Sequence, residues 1–186
     1  MNNKNISITP VYKGNTFNVN KYIIQIVSNY LPVEVEKDVI FHPGSVAMVP
    51  FNKEGKVILV KQFRTPANRE LFELPAGTLS PDESSLECAN RELQEEIGFK
   101  ANTFEYLGGF FTAPGYNSEY IDLYMATDLE ESYLEADIDE VIEVCPFEIE
   151  DVLTMIDRGN IIDAKTIAGI FKALRHLKFE NSNERH

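Results

Sequence analysis

Hydrophobic and polar residues alternate along the first 43 residues, which is typical of strands that bury one face. The segments ISITPVY, TFNVNKYIIQIV and VEVEKDVIF follow this pattern, and a turn is predicted over residues 28–32. The pattern breaks at His42-Pro43-Gly44. We therefore expect a small β-rich N-terminal segment over residues 1–43 and a second domain over residues 44–180.

Longer apolar runs follow this break. SVAMVPF and KVILVKQF are predicted to form a hairpin around residues 52–55, and ELFELPAG is predicted to be a strand. TFEYLGGFFTAP, YIDLYMATDL and VIEVCPF complete the predicted strands, with the acidic stretch 128–140 as a loop. EIEDVLTMIDRG and DAKTIAGIFKALRHL show helical spacing. Strands interleaved with helices predict an α/β fold whose mixed sheet is covered on both faces.

A further helix is predicted over residues 81–97. Ser80 would cap its N-terminus, with a glutamate three residues later, and Gly98 would end it. Apolar residues at helical spacing would then form its buried stripe: Leu86, Leu93 and Ile97.

Beside this stripe, Glu92, Glu95 and Glu96 fall within an arc of roughly 100°. Like charges at this spacing repel one another by a few tenths of a kcal/mol per pair unless a cation lies against them. Hard divalent cations such as Mg2+ prefer oxygen ligands of this kind. A solvated acidic face is the other interpretation of these three residues taken alone.

Composition and charge narrow the classes of partner. The net charge of -13 disfavours binding to nucleic acid or to an anionic membrane, because both carry phosphate groups that the protein would repel. The only cysteines, Cys88 and Cys145, do not suggest a disulfide framework, and no run approaches the ~18 apolar residues of a membrane span. These features predict a cytoplasmic protein, and an acidic protein that handles phosphates would need positive charge from a metal ion.

Residues 77–99 follow the pattern G-x5-E-x7-R-E-L-x-E-E-x-G-F. Every specified position matches the Nudix box, so the chain resembles the Nudix hydrolases. The resemblance implies a Nudix-type α/β/α sandwich with a mixed sheet and dependence on Mg2+, with Mn2+ as an alternative. It also implies a structural ion pair between Glu83 and Arg91. The implied metal ligands are the Ala76 carbonyl and the carboxylates of Glu92, Glu95 and Glu96, of which Glu95 and Glu96 also count as catalytic.

Outside this motif, the chain is similar to ADP-ribose pyrophosphatases. The similarity includes HPGSVAMV, KQFR and ELPAG, and a proline, Pro114, sixteen residues after Gly98. The Ser-Pro-Gly of that subgroup is replaced here by Ala113-Pro114-Gly115. The resemblance implies cleavage of ADP-ribose to AMP and ribose 5-phosphate by a homodimer that exchanges its N-terminal segments. The residues expected to contact substrate are Arg64, Glu73, Pro114 and Glu119.

The general base of this subgroup is expected in the loop that offers Asp137, Asp139 and Glu140, and we favour Glu140 because it directly precedes VIEV. Two rival functions remain. Another nucleoside diphosphate sugar such as GDP-mannose shares the diphosphate that the metal site would act on. A non-catalytic nucleotide-binding module of the same fold is the rival from another class, although it would not need Glu92, Glu95 and Glu96 together.

Overall fold

The computed structural model of the protein describes residues 4–28, 31–135 and 141–183. These residues form two compact units. Unit 1 contains the described residues up to Gly44 together with Phe111–Tyr120, and unit 2 contains Ser45–Phe110 with the described residues from Ile121 onward. None of the described helices is long and apolar enough to cross a membrane.

Three antiparallel strands, in the order β1-β2-β3, make up the sheet of unit 1. They are β1 (Lys4–Lys13), β2 (Asn18–Ser28) and β3 (Leu31–Phe41), in agreement with the predicted strands. Leu31 and Pro32, predicted to lie in a turn, instead begin β3 opposite Ser28 and Val27. Proline is tolerated there because β3 is an edge strand of this sheet.

Two sheets follow, one of three strands in the order β10-β5-β6 and one of four in the order β7-β4-β9-β8. The second is mixed, since β4 runs parallel to β9 and antiparallel to β7. Their strands are β4 (Ser45–Pro50), β5 (Val57–Arg64), β6 (Arg69–Glu73), β7 (Ala76–Thr78), β8 (Phe99–Phe111), β9 (Tyr120–Glu131) and β10 (Ile142–Phe147). The described helices are α1 (Ser85–Glu96), α2 (Ile149–Asp157) and α3 (Ala164–Asn183).

Strands β4 and β5 are buried on both faces, because successive side chains of a strand point to opposite sides. One set lies in the buried cluster that includes α1 residues: Val46, Met48, Ile58 and Val60. The alternate set lies in the cluster that includes residues of α2 and α3: Ala47, Val49, Val57 and Leu59. Helices therefore cover both sides of the sheets, and the predicted α/β sandwich with a mixed sheet is confirmed.

The predicted hairpin between β4 and β5 is wrong. The turn itself forms, with Asn52 Oδ1 accepting hydrogen bonds from the Glu54 and Lys56 amides. Beyond one isolated bridge between Phe51 and Val57, however, the two strands belong to different sheets. Residues 46–49 of β4 and 57–60 of β5 are apolar and buried, so each strand can lie inside its own sheet with other partners on either side.

Helix α1 begins later than predicted, with Ser84 rather than Ser80 as its N-cap. Ser84 and Glu87 form a capping box, whereas Asp82 adopts a left-handed φ of 65° that prevents a helix from starting at residue 81. Glu83 instead accepts a hydrogen bond from the Ser80 amide and turns toward Arg91. The segment before α1 is therefore a structured loop.

Two smaller predictions also fail. Leu86 lies in the first turn of α1 and is 47% exposed, so the buried stripe of the helix is formed by Cys88, Ala89, Leu93 and Ile97 instead. The acidic stretch predicted as a loop from residue 128 begins inside a strand, because β9 continues to Glu131. Leu129, which is only 5% exposed, anchors this end of β9 in the core.

Candidate active site

Helix α1 directs two of the three predicted carboxylate ligands of the metal into the protein. Glu92 and Glu96 are only 7% and 6% exposed, on the same side as the buried Leu93. Strand β7 provides the space that the Glu92 carboxylate needs. A Cβ atom on Gly77 would lie 1.8 Å from the carboxyl carbon of Glu92, so glycine is required for this close approach.

Arg91 donates hydrogen bonds to three carboxylates of this site, those of Glu83, Glu92 and Glu95. Its Nε donates to Glu83 Oε1 at 2.8 Å, and its Nη1 donates to both Glu92 Oε1 and Glu95 Oε2 at 2.7 Å. Hydrogen bonding to Arg91 is the main reason why the pKa of Glu83 falls to about 2. The same bond to Glu83 raises the pKa of Arg91. The predicted ion pair thus exists and links the loop before α1 to its carboxylates.

The peptide of Ala76 lies against the Glu96 carboxylate, since its amide donates to Glu96 Oε2 at 3.0 Å. Ala76 is the first residue of β7 and pairs with Ala47 of β4. The β7 backbone therefore lies directly beside α1. Glu96 of the helix contacts it at Ala76, and Glu92 contacts it at Gly77. All four predicted metal ligands belong to one local structure.

A divalent cation suits the chemistry of these donors, because buried carboxylates and a backbone carbonyl are hard oxygen ligands. Among residues 4–28, 31–135 and 141–183, no three His, Cys, Asp or Glu side chains converge as a ready-made metal site. Instead, Glu92 and Glu95 accept hydrogen bonds from Arg91, and Glu96 accepts one from the Ala76 amide. The carboxylates fit a metal in kind and number, and they would exchange these partners for it.

A second charged group is built on Glu73, the last residue of β6. Its carboxylate is 1% exposed and accepts two hydrogen bonds from Arg64 at 2.8 Å, from Nε and from Nη2. Lys165 of α3 also bonds Glu73 Oε2. Burial alone would raise the pKa of Glu73, but the hydrogen bonds from Arg64 and Lys165 outweigh it and the pKa is lowered.

Arg64 connects this group with the metal-ligand carboxylates. Its side chain is 40% exposed, so part of the guanidinium can reach a ligand. The hydrogen bond to Glu73 is the main cause of the raised pKa of Arg64, and the charge of Glu96 adds to it. Arg64, a predicted substrate residue, therefore lies close enough to Glu96 of the predicted metal site for their charges to interact.

The other predicted substrate residues, Pro114 and Glu119, belong to unit 1. Their loop is closed by a hydrogen bond from the Thr112 amide to the Glu119 carbonyl at 3.2 Å. The Glu119 carboxylate accepts a hydrogen bond from Thr112 Oγ1 at 3.0 Å. The loop is joined to β3 by two backbone hydrogen bonds, between Ile40 and Tyr116 and between Ser118 and Ile40.

The predicted general base, Glu140, lies outside the described residues, as do Asp137 and Asp139. Three residues that no sequence motif indicates surround Glu73 and the following residue: Asp163, Lys165 and Thr166. An aspartate three residues before a threonine at a helix start could have indicated the N-cap. No local signal indicates the ion pair between Lys165 and Glu73, which are separated by 92 positions.

Cys88 and the described histidines show no sign of catalytic chemistry. Cys88 is fully buried, and burial is the main reason why its pKa rises to about 12, which keeps the thiol protonated. His42 accepts a hydrogen bond from the Gly44 amide through Nδ1, and His176 contacts Glu105. These contacts give both histidines a structural role.

Comparison with known proteins adds independent information. A family model described as the NUDIX domain matches residues 41–169. An ADP-ribose pyrophosphatase from Bacillus subtilis (strain 168) is 38% identical over 137 residues, which cover 73% of this chain and 74% of that protein. A GDP-mannose pyrophosphatase from Yersinia enterocolitica is 30% identical over 164 residues, which cover 82% of this chain and 85% of that protein.

A solved structure of an ADP compounds hydrolase superposes with a TM-score of 0.83 at 24% sequence identity. The match covers 97% of this chain and 96% of that one. At this identity the likeness concerns the fold alone, and it agrees with the sandwich of sheets and helices described above.

Proposed function

The chain belongs to the Nudix hydrolase family, and from this premise we propose that it cleaves the diphosphate bond of ADP-ribose with water, giving AMP and ribose 5-phosphate. The observation that carries this proposal is the pair of buried carboxylates, Glu92 and Glu96, beside the backbone of β7. Arg64, a phosphate-binding side chain, lies within the field of Glu96. A metal-dependent diphosphate hydrolase needs acidic ligands that hold the metal ion and a positively charged side chain that binds the diphosphate.

A bound Mg2+ or Mn2+ would neutralise the diphosphate and lower the pKa of a coordinated water. Its ligands would be the Ala76 carbonyl and the carboxylates of Glu92, Glu95 and Glu96. Glu83 would keep the Arg91 guanidinium in place when Glu92 and Glu95 turn from it, since the Nε and Nη2 bonds to Glu83 do not involve Nη1. We assign the role of general base, which accepts the proton of the attacking water, to Glu140.

Arg64 would donate hydrogen bonds to the diphosphate, for which a planar guanidinium is well suited. Glu73 is too buried to meet the substrate and would act by orienting Arg64 through the two 2.8 Å hydrogen bonds. Glu119 would accept hydrogen bonds from ribose hydroxyls, and Pro114 would shape the loop that carries it.

Substrate preference tests this proposal. We expect kcat/KM for ADP-ribose to exceed that for ATP and for diadenosine polyphosphates by about tenfold or more, because the Glu119 carboxylate would repel the additional phosphates. The measurement is a steady-state comparison of these nucleotides and GDP-mannose, with Mg2+ and with Mn2+. Glu119→Gln should narrow the preference, whereas Glu54→Gln, a change at an exposed acid on the β4–β5 turn, should leave it unchanged.

If ATP or a diadenosine polyphosphate matched ADP-ribose, the proposed substrate would be wrong while membership of the family would stand. GDP-mannose is the second candidate substrate, favoured by the 30% identical relative that is a GDP-mannose pyrophosphatase. Turnover of any nucleotide in the panel would exclude the non-catalytic nucleotide-binding role.

We also propose that unit 1 forms a homodimer interface. Among the described residues of β1, β2 and β3, none is buried within one chain. Large apolar side chains on this sheet are strongly exposed, including Val11 at 61%, Val27 at 68% and Leu31 at 66%. An apolar sheet of this kind is stabilised by a partner that covers it, and a second copy supplies the same apolar surface.

A dimer is therefore expected in solution at micromolar concentration, which light scattering coupled to size-exclusion chromatography would measure. Val11→Glu should shift the mass toward the monomer, because it places a charge in the proposed interface. Leu86→Glu, a change at an exposed apolar residue of α1, should have no effect on the mass. A monomeric wild-type protein across this concentration range would exclude the dimer.

The cytoplasm is the compartment that we propose for this activity. Cys88 and Cys145 are both free thiols, which suits a reducing environment.

A further inference from the structure

Lys165 is the second positively charged residue that contacts the Glu73 carboxylate, which also forms an ion pair with Arg64. Glu73 receives two hydrogen bonds from Arg64, and Lys165 Nζ contacts its Oε2 atom as well. Lys165 also donates to Asp163 Oδ2 at 3.1 Å. The Lys165 side chain is only 14% exposed, so its charge acts mainly inside this cluster.

The four charges alternate in space. Arg64 pairs with Glu73, Glu73 with Lys165, and Lys165 with Asp163. A buried carboxylate paired with Arg64 alone would offset nearly all of its positive charge. Lys165 shares the Glu73 carboxylate, and Asp163 lies on the far side of Lys165 in this chain of pairs. Glu73 therefore cancels less of the Arg64 charge than it would if it were paired with Arg64 alone.

The hydrogen bonds of Arg64 agree with a side chain that Glu73 orients and that still attracts an anion. Its Nε and Nη2 atoms bond Glu73, and among the described residues none accepts a hydrogen bond from Nη1. The guanidinium is thus fixed on one side and available on the other. With 40% of its side chain exposed, the available side can meet a ligand in solvent.

Building on the diphosphate hydrolysis proposed above, we propose that Lys165 is a positioning residue for the diphosphate. It offsets part of the charge of Glu73, so that Arg64 keeps more of its attraction for the anionic substrate while its orientation stays fixed. Lys165 does not itself contact substrate in this account. Its effect should appear mainly in substrate affinity and only weakly in kcat, since it acts on the arginine and not on the reacting atoms.

A purely structural role for Lys165 makes a different prediction. The start of α3 is held in place without Lys165, because Asp163 Oδ2 accepts hydrogen bonds from the Thr166 amide at 2.9 Å and from Thr166 Oγ1 at 2.6 Å. Thr166 Oγ1 in turn accepts a hydrogen bond from the Leu74 amide at 2.8 Å. Thr166→Val removes this attachment and leaves the charges intact, so it is a matched control for Lys165→Met, which removes the charge.

The test compares Lys165→Met, Lys165→Arg and Thr166→Val by steady-state kinetics with ADP-ribose and by calorimetric binding of inorganic pyrophosphate in Mg2+ buffer. We expect Lys165→Met to raise KM and the pyrophosphate Kd about tenfold, with kcat within about threefold of the wild-type value. Lys165→Arg should restore both. Thr166→Val should lower the melting temperature and leave the pyrophosphate Kd unchanged.

Measuring the effect of Lys165→Met in a Glu73→Gln variant tests whether Lys165 acts through the charge of Glu73. If Lys165 acts by offsetting Glu73, adding Lys165→Met to Glu73→Gln should change the pyrophosphate Kd less than twofold, because the charge to be offset is gone. An equal effect of Lys165→Met in both backgrounds, or an unchanged pyrophosphate Kd in the single variant, would overturn the inference. A wild-type protein that binds pyrophosphate but leaves ADP-ribose intact would overturn only the proposed substrate.

Discussion

Replacing Glu96 with glutamine is expected to lower kcat for ADP-ribose about a thousandfold while the protein remains folded. The change removes one negative charge from the proposed metal ligands. The glutamine carbonyl can still accept the hydrogen bond that the Ala76 amide now donates to Glu96 Oε2. Removing a carboxylate near Glu92 also relieves repulsion, so the metal-free variant should be as stable as the wild type. Steady-state kinetics and thermal unfolding with and without Mg2+ would measure both effects.

Glu87→Gln is the matched control for this experiment. Glu87 lies on the same helix, but it is exposed and forms the capping box with Ser84. Its replacement should reduce stability slightly and leave both kcat and the stabilisation by Mg2+ unchanged. A folded Glu96→Gln protein with nearly wild-type turnover would show that Glu96 has no part in binding the metal.

Gly77→Ala should reduce activity about a hundredfold by displacing Glu92 rather than by unfolding the protein. The added Cβ would lie 1.8 Å from the Glu92 carboxyl group, which is far too close for both to remain in place. The carboxylate is the end of a flexible side chain, so it can move away at modest cost to the fold. It would then no longer serve as a metal ligand. Calorimetric titration with Mg2+ should show weaker binding, alongside a reduced kcat.

The double variant Gly77→Ala/Glu92→Gln separates this explanation from a general disturbance of β7. If alanine acts only by displacing the Glu92 carboxylate, it should have little further effect once that carboxylate is absent. An equal loss of activity from Gly77→Ala in both backgrounds would mean that the backbone of β7 itself was damaged. Full activity of the single variant would remove Glu92 from the proposed ligands.

Local patterns predicted the elements of the fold better than they predicted how those elements pair. Strands β4 and β5 are adjacent in sequence and joined by a real turn, yet each pairs with distant strands. The buried part of each strand is apolar on both faces, and the sequence of such a strand does not indicate which strands it pairs with. Ser80 failed as a helix cap for a related reason. Glu83 accepts the Ser80 amide hydrogen bond but is also held by Arg91. The left-handed φ of Asp82, between Ser80 and Glu83, prevents the helix from starting there, which spacing alone does not reveal.

In the candidate site, too, local spacing predicted some features, whereas others depend on contacts between distant parts of the chain. The spacing of Glu92, Glu95 and Glu96 within one helical turn is enough to predict that they lie together, because helical geometry is local. The motif contains a glycine at position 77, but only the structure shows why, since the Glu92 carboxylate occupies the space that a Cβ atom would need. The cluster of Arg64, Glu73, Asp163 and Lys165 could not be predicted, since its members come from β5, β6 and the start of α3.

Product analysis with purified protein, ADP-ribose and Mg2+ is the most direct test of the proposed activity, repeated with EDTA and with the Glu96→Gln variant. Chromatographic separation should show AMP and ribose 5-phosphate in equal amounts with the wild-type protein and Mg2+. Neither product should appear in EDTA, and Glu96→Gln should form them only in trace amounts. Undiminished cleavage in EDTA, or intact ADP-ribose after incubation of the folded wild-type protein with Mg2+, would contradict metal-dependent hydrolysis of ADP-ribose.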